Sequence, residues 1–153
     1  MAHFDKAAVG ADKWLMQLGT LSGNPVASAA GLKTMEILRR PGQYDRLRRS
    51  GQRLMDMHTT ALTDASIEHR ICGDPTLFDV YFTDSDPVDY RSAKNRNPKT
   101  SKVWNAALRA KGVFKSPGKL YPSLALTEND LDLTQQAIRG AADALADCFA
   151  RNA

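Results

Sequence analysis

Little in this chain suits it to a cross-linked, metal-bound or membrane-embedded existence. Its 153 residues include two cysteines, Cys72 and Cys148, far apart and in no C-x-x-C arrangement. A disulfide framework or zinc site is therefore not expected, and two reduced, partly buried thiols are. His3, His58 and His69 stand at no ligand spacing to those thiols, so no metal is expected either. No apolar run approaches the roughly 20 residues that cross a bilayer. The opening residues, Met1-Ala2-His3-Phe4-Asp5-Lys6, lack the basic-then-apolar plan of a signal peptide, which makes the cytoplasm the expected compartment. Internal repeats and low-complexity segments are absent.

What remains is the composition of a soluble globular protein, 42% hydrophobic and 25% charged, long enough for one ordinary domain. The net charge of +4 raises the question of nucleic acid. The positive charge concentrates in Arg39, Arg40, Arg46, Arg48, Arg49 and Arg53, mixed with Asp45 and Asp56. A solvated helix face with a dipole-complementing end accounts for it better than a phosphate-backbone groove does. No aromatic sits among Arg46, Arg48, Arg49 and Arg53 to stack on bases. Nucleic acid and membrane are not expected partners.

The most informative stretch runs from Gly19 to Arg40. Thr20-Leu21-Ser22-Gly23 is small and hydroxyl-rich, Asn24 is a good helix N-cap, and Pro25 occupies the first helical position, where its missing N–H costs nothing. Ala27, Ala30, Thr34, Met35 and Leu38 then recur at spacings of three or four, on one helix face. Hydroxyls and free amides at a helix N-terminus attract negative charge, and the expected ligand is a phosphate.

Before this stretch, residues 1–18 read as partly extended, with Trp14-Leu15-Met16-Gln17-Leu18 a strand or buried connector. After it, Arg40-Pro41-Gly42 stops the helix. A second helix is expected from about Gln43 to Thr63, with Tyr44, Leu47, Leu54, Met57, His58, Ala61 and Leu62 on its apolar side and His58 packed at the core edge. Ser66–Cys72, a Gly73-Asp74-Pro75 turn and Leu77–Thr83 read as an antiparallel hairpin, and Asp84–Pro98 as a loop. A helix from Lys99 to Lys111 turns Val103, Trp104, Ala107 and Leu108 inward and ends at Gly112. Two more strands are expected at Val113–Lys115 and Tyr121–Leu126, giving a sheet of three or four. Thr127-Glu128-Asn129-Asp130 is a capping box that opens a last helix, with Leu131, Ile138, Ala141, Ala142, Leu145 and Phe149 inward.

The string Thr20-Leu21-Ser22-Gly23-Asn24-Pro25 with its small-residue helix resembles the class III (fold type I) pyridoxal-phosphate aminotransferases, in the glutamate-1-semialdehyde 2,1-aminomutase branch. The resemblance continues through Phe82-Thr83-Asp84, Gly112-Val113-Phe114, Ser123 and Thr127-Glu128-Asn129-Asp130-Leu131-Asp132. It implies an α+β fold: a small antiparallel sheet covered by helices, which is the family's C-terminal small domain, plus a long N-terminal connecting helix. Residues 1–23 would be a remnant of the cofactor-binding large domain, and residues 24–153 the connecting helix and small domain. The implied cofactor is pyridoxal 5'-phosphate. Thr20 would hold its phosphate across a homodimer interface, with Ser22, Gly23 and Asn24 shaping the turn.

The implied substrates are a small-molecule amine and a carbonyl compound, between which an amino group moves. The family's Schiff-base lysine and its carboxylate against the ring nitrogen lie upstream of the threonine string. None of Lys6, Lys13, Lys33, Lys94, Lys99, Lys102, Lys111, Lys115 and Lys119 matches that lysine, and each is expected at the surface. The resemblance therefore implies the C-terminal part of an aminotransferase. Lys119 and Tyr121 are the substrate-side candidates, since the corresponding loop borders the active-site mouth. The alternative is a catalytically inactive small-domain interaction module.

Overall fold

The computed structural model describes residues 2–16 and 19–151. Its contacts divide the chain into two compact units, Met1–Pro41 and Gly42–Ala153.

The first unit has no buried residue among those described. A 3-10 turn at Ala2–Phe4 leads into the short helix α1 (Lys6–Val9), which Asp5 caps by accepting from the amides of Ala7 and Ala8. Another 3-10 turn follows at Ala11–Lys13. The segment folds back on itself: the Leu15 amide donates to the His3 carbonyl at 2.8 Å, and the Trp14 indole N–H to the Phe4 carbonyl at 3.2 Å. Trp14–Met16 are therefore neither strand nor buried connector; Leu15 and Met16 are exposed. Gln17 and Leu18 of that expected strand lie outside the described residues. Helix α2 (Pro25–Leu38) begins where Asn24 and Pro25 place it, and none of its residues is buried.

The second unit carries the core. Helix α3 (Gln43–Asp64) and helix α5 (Glu128–Ala150) pack together, and helix α4 (Pro98–Ala110) packs on α5. Strands β1 (Arg70–Asp74) and β2 (Leu77–Tyr81) form an antiparallel hairpin against α3, in register Cys72 to Asp79 and Ile71 to Val80. Period 2 along β2 turns Phe78 and Val80 inward, and Phe82 continues that face. They meet Leu62 and Met57 of α3, Trp104 and Leu108 of α4, and Ile138 and Leu145 of α5. His58 lies wholly inside, 1% exposed, edge-on to Phe78 and Trp104.

The small antiparallel sheet covered by helices is present, but with two strands among the described residues rather than three or four. Leu120 pairs with Phe78 beside the hairpin, donating to the Phe78 carbonyl at 2.7 Å and accepting from its amide at 3.3 Å, and Ser116 bridges Lys119 across a turn. Pro122 then removes the next donor that a ladder needs. Ser123 turns the chain, its carbonyl accepting from Leu126 at 3.3 Å. Val113 is no strand either: its amide closes the end of α4 by donating to the Leu108 carbonyl at 3.0 Å. Three residues expected to face inward do not. Tyr44, Val103 and Phe149 are exposed, because each lies at the rim of its helix's apolar stripe.

Candidate functional site

Thr20 to Gly23 form a tight turn. The Ser22 amide donates to the Gly19 carbonyl at 3.1 Å, and the Asn24 amide to the Leu21 carbonyl at 3.1 Å. Gly23 has φ +77°, the left-handed region that glycine enters without steric cost. Asn24 then caps α2: its Oδ1 accepts from the amides of Val26 at 3.0 Å and Ala27 at 3.2 Å. The Ser28 amide donates to the Asn24 carbonyl, and Pro25 has no N–H to offer.

The amides of Val26, Ala27 and Ser28, the first that α2 offers, are therefore engaged. Thr20 and Ser22 are both exposed. The Thr20 side chain is open to approach from outside. All four residues named from the sequence come together here, Asn24 as the cap and Gly23 as the bend.

Lys119 and Tyr121, the substrate-side candidates, both line a cavity of about 720 Å³ between the loop after α4 and the first turns of α5. Its wall also includes Phe114, Asp130 and Leu133, and Tyr121 is 65% exposed. The sequence did bring these two residues to one place. Cys72 and Cys148 are half-buried.

One lysine departs from the expectation of a surface position. The Lys115 side chain is only 7% exposed. Its ammonium donates to Asn105 Oδ1 at 2.9 Å and to the Ser116 carbonyl at 2.9 Å, and it lies 3.7 Å from Asp79 Oδ1. Asp79, buried on the hairpin face opposite Phe78, is also 3.5 Å from Arg96, whose guanidinium lies over the Tyr81 ring. Burial pushes the Asp79 carboxyl up and the Lys115 ammonium down, and in each case it outweighs their mutual attraction. This cluster was missed. The signal available was an aspartate in the middle of an apolar five-residue strand, Leu77-Phe78-Asp79-Val80-Tyr81, which requires a buried cation nearby. With its donors so directed, Lys115 is held rather than offered to a substrate. The other lysines are exposed.

Among the described residues no cluster of His, Cys, Asp and Glu could hold a metal ion, and no helix is long and apolar enough to cross a membrane.

No family model matches the chain. Individual proteins do. It is 33% identical over 134 residues to a glutamate-1-semialdehyde 2,1-aminomutase of Thermodesulfovibrio yellowstonii, covering 86% of this chain and 31% of that protein. To the enzyme of the same name from Propionibacterium freudenreichii it is 36% identical over 154 residues, covering 92% of this chain and 34% of the relative. In three dimensions it resembles an omega-transaminase from Sphaerobacter thermophilus with a TM-score of 0.72 and 25% identity, over 94% of this chain and 33% of the other. The chain thus spans about a third of the length of the curated relatives it matches.

Proposed function

Since this chain belongs to the class III aminotransferases, in their glutamate-1-semialdehyde 2,1-aminomutase branch, and matches the C-terminal portion of those proteins, we propose that it serves pyridoxal-phosphate-dependent transfer of an amino group between an amine or amino acid and a carbonyl compound. The single observation that carries this reading is the exposed Thr20–Asn24 turn at the head of α2. Pyridoxal phosphate supplies, when bound, the electron sink that amino transfer requires. The Thr20 hydroxyl donates to its phosphate, on a neighbouring subunit of a homodimer. Gly23 lets the backbone bend close, and Asn24 fixes the first turn of α2 so that the threonine is presented rather than folded away.

The lysine that bonds the cofactor is not among those of this chain. Support for this is chemical: Lys115 is committed to Asn105, Ser116 and Asp79, and the remaining lysines are exposed to water, without the desolvation that activates an amine. In this reading the cavity beside Lys119 and Tyr121 borders the substrate entrance.

The test is titration of the purified chain with pyridoxal phosphate and, in parallel, with pyridoxal, which lacks the phosphate. The chain is expected to favour the phosphorylated form, and Thr20→Val is expected to lose most of that preference. With an amine donor added, neither turnover nor a borohydride-trapped adduct at a single lysine is expected. Equal binding of the two aldehydes by both proteins would refute the phosphate role and leave the small-domain interaction module. Turnover would show that a lysine of this chain had been recruited.

A further inference from the structure

Helix α4 has two working faces. Trp104 and Leu108 point into the core. The face formed by Ser101, Lys102, Asn105 and Arg109, at spacings of one, three and four, instead lines a cavity of about 400 Å³. Arg96, just ahead of the helix, and Lys115, beyond its end, complete the wall. The side chains between the cations are short, so the space is left open where longer ones would fill it.

The charges do not balance. Four cationic side chains line this space, and Asp79 is the carboxylate that answers any of them, shared by Arg96 and Lys115. Among the described residues, neither Lys102 nor Arg109 has a carboxylate within ion-pair distance; Arg109 is placed instead by its contact with the Phe114 ring, 5.6 Å from its centre. Like charges gathered around a concave surface raise the local potential for an anion, and guanidinium forks match the oxygens of phosphate. The volume is that of a small-molecule pocket. A single carboxylate would leave most of the charge unanswered, whereas a phosphate group brings two charges and several acceptor oxygens.

We propose that the cavity walled by Arg96, Lys102, Arg109 and Lys115 is a binding site for a phosphate-bearing small molecule, with Lys102 and Arg109 as the clamp that donates to it and Lys115, its donors held by Asn105, Ser116 and Asp79, adding only charge at the floor. Its lining residues all belong to the second unit of the chain, and Thr20 to the first. Nothing in the assignment to amino transfer requires it.

Calorimetric titration of the purified chain with inorganic pyrophosphate at low ionic strength tests this. Saturable one-site binding is expected, weakened at least tenfold in the Lys102→Gln/Arg109→Gln double variant. Both side chains are exposed, so the fold should survive, and circular dichroism checks it. Arg49→Gln, which removes a cation of α3, should change the affinity less than twofold. The proposal is overturned by an absence of saturable binding, by equal weakening in the Arg49 and the double variant, or by citrate binding as tightly as pyrophosphate. Loss of pyrophosphate binding in Thr20→Val would place the anion at the turn, overturning this site while sparing the cofactor reading.

Discussion

Asp79 and Lys115 show what a single misplaced charge would cost. Both side chains are at most 8% exposed, so each is in the interior only because the other is. Removing one partner of a buried pair leaves the other uncompensated, and Asp79→Ala is expected to cost about 3 kcal/mol. Replacing the pair with apolar groups, Asp79→Leu with Lys115→Met, should recover most of that loss, because no desolvated charge remains. Urea midpoints of the three proteins decide it, and a double variant less stable than Asp79→Ala would show the pair to be net stabilising. His58 gives a second test. Its Nδ1–H donates to the Leu54 carbonyl at 2.8 Å, while Nε2 is buried with no partner. Burial holds its pKa down at about 4, below the ordinary 6.5. In unfolded chains the imidazole takes its proton near 6.5, so between 6.5 and 4 the unfolded state binds more protons and stability falls as pH falls. Going from pH 7 to pH 5 should cost about 2 kcal/mol through this residue alone. His58→Phe should flatten that part of the profile, and a profile unchanged by the substitution would show that His58 is not its source.

Among the elements, two helical glycines that look alike in the sequence should behave oppositely. Glycine inside a helix is about 1 kcal/mol worse than alanine, which argues for replacing both Gly51 of α3 and Gly140 of α5. At Gly51, however, a Cβ would run into the Pro75 carbonyl in the hairpin turn, a backbone atom that cannot step aside. At Gly140 it would meet the end of the Lys111 side chain, which can move. Gly51→Ala should therefore lower stability by 2 kcal/mol or more, against its propensity, and Gly140→Ala should raise it by up to about 1 kcal/mol. Thermal melts of the two variants check the sign. The contrast also shows where the sequence could be read. Local chemistry was legible: the Asn24 and Thr127–Asp130 caps stand where the residue types place them, and α3 runs from Gln43 to Asp64 as its periodicity requires. What stayed hidden depends on partners distant in the chain. Gly51 meeting Pro75, Asp79 meeting Lys115, and Leu120 pairing with Phe78 for a single rung leave no periodic trace. At the candidate site the motif told which residues gather in the turn.

For the whole molecule, the open question is how α2 is covered. Val26 is 78% exposed, Leu32 74% and Met35 50%, and the helix buries nothing within its own unit. An isolated helix of 14 residues is marginal in water, since most helical stability in proteins comes from packing an apolar face. A helix this bare should therefore gain by pairing, and the proposed homodimer offers a second copy of the same small-residue face. Alanines and Gly31 along it permit close approach. Sedimentation of the chain is expected to show a concentration-dependent dimer. Leu32→Glu with Met35→Glu places charge on side chains that are already exposed, so the helices of the second unit should be untouched while the dimer is lost. Far-ultraviolet dichroism should then fall with dilution in the parent chain, as α2 melts on separation, and show no such dependence in the variant. A chain that sediments as a monomer at all concentrations, with full α2 helicity, would mean that α2 stands without a second copy, and the phosphate grip of Thr20 across a subunit boundary would fail with it.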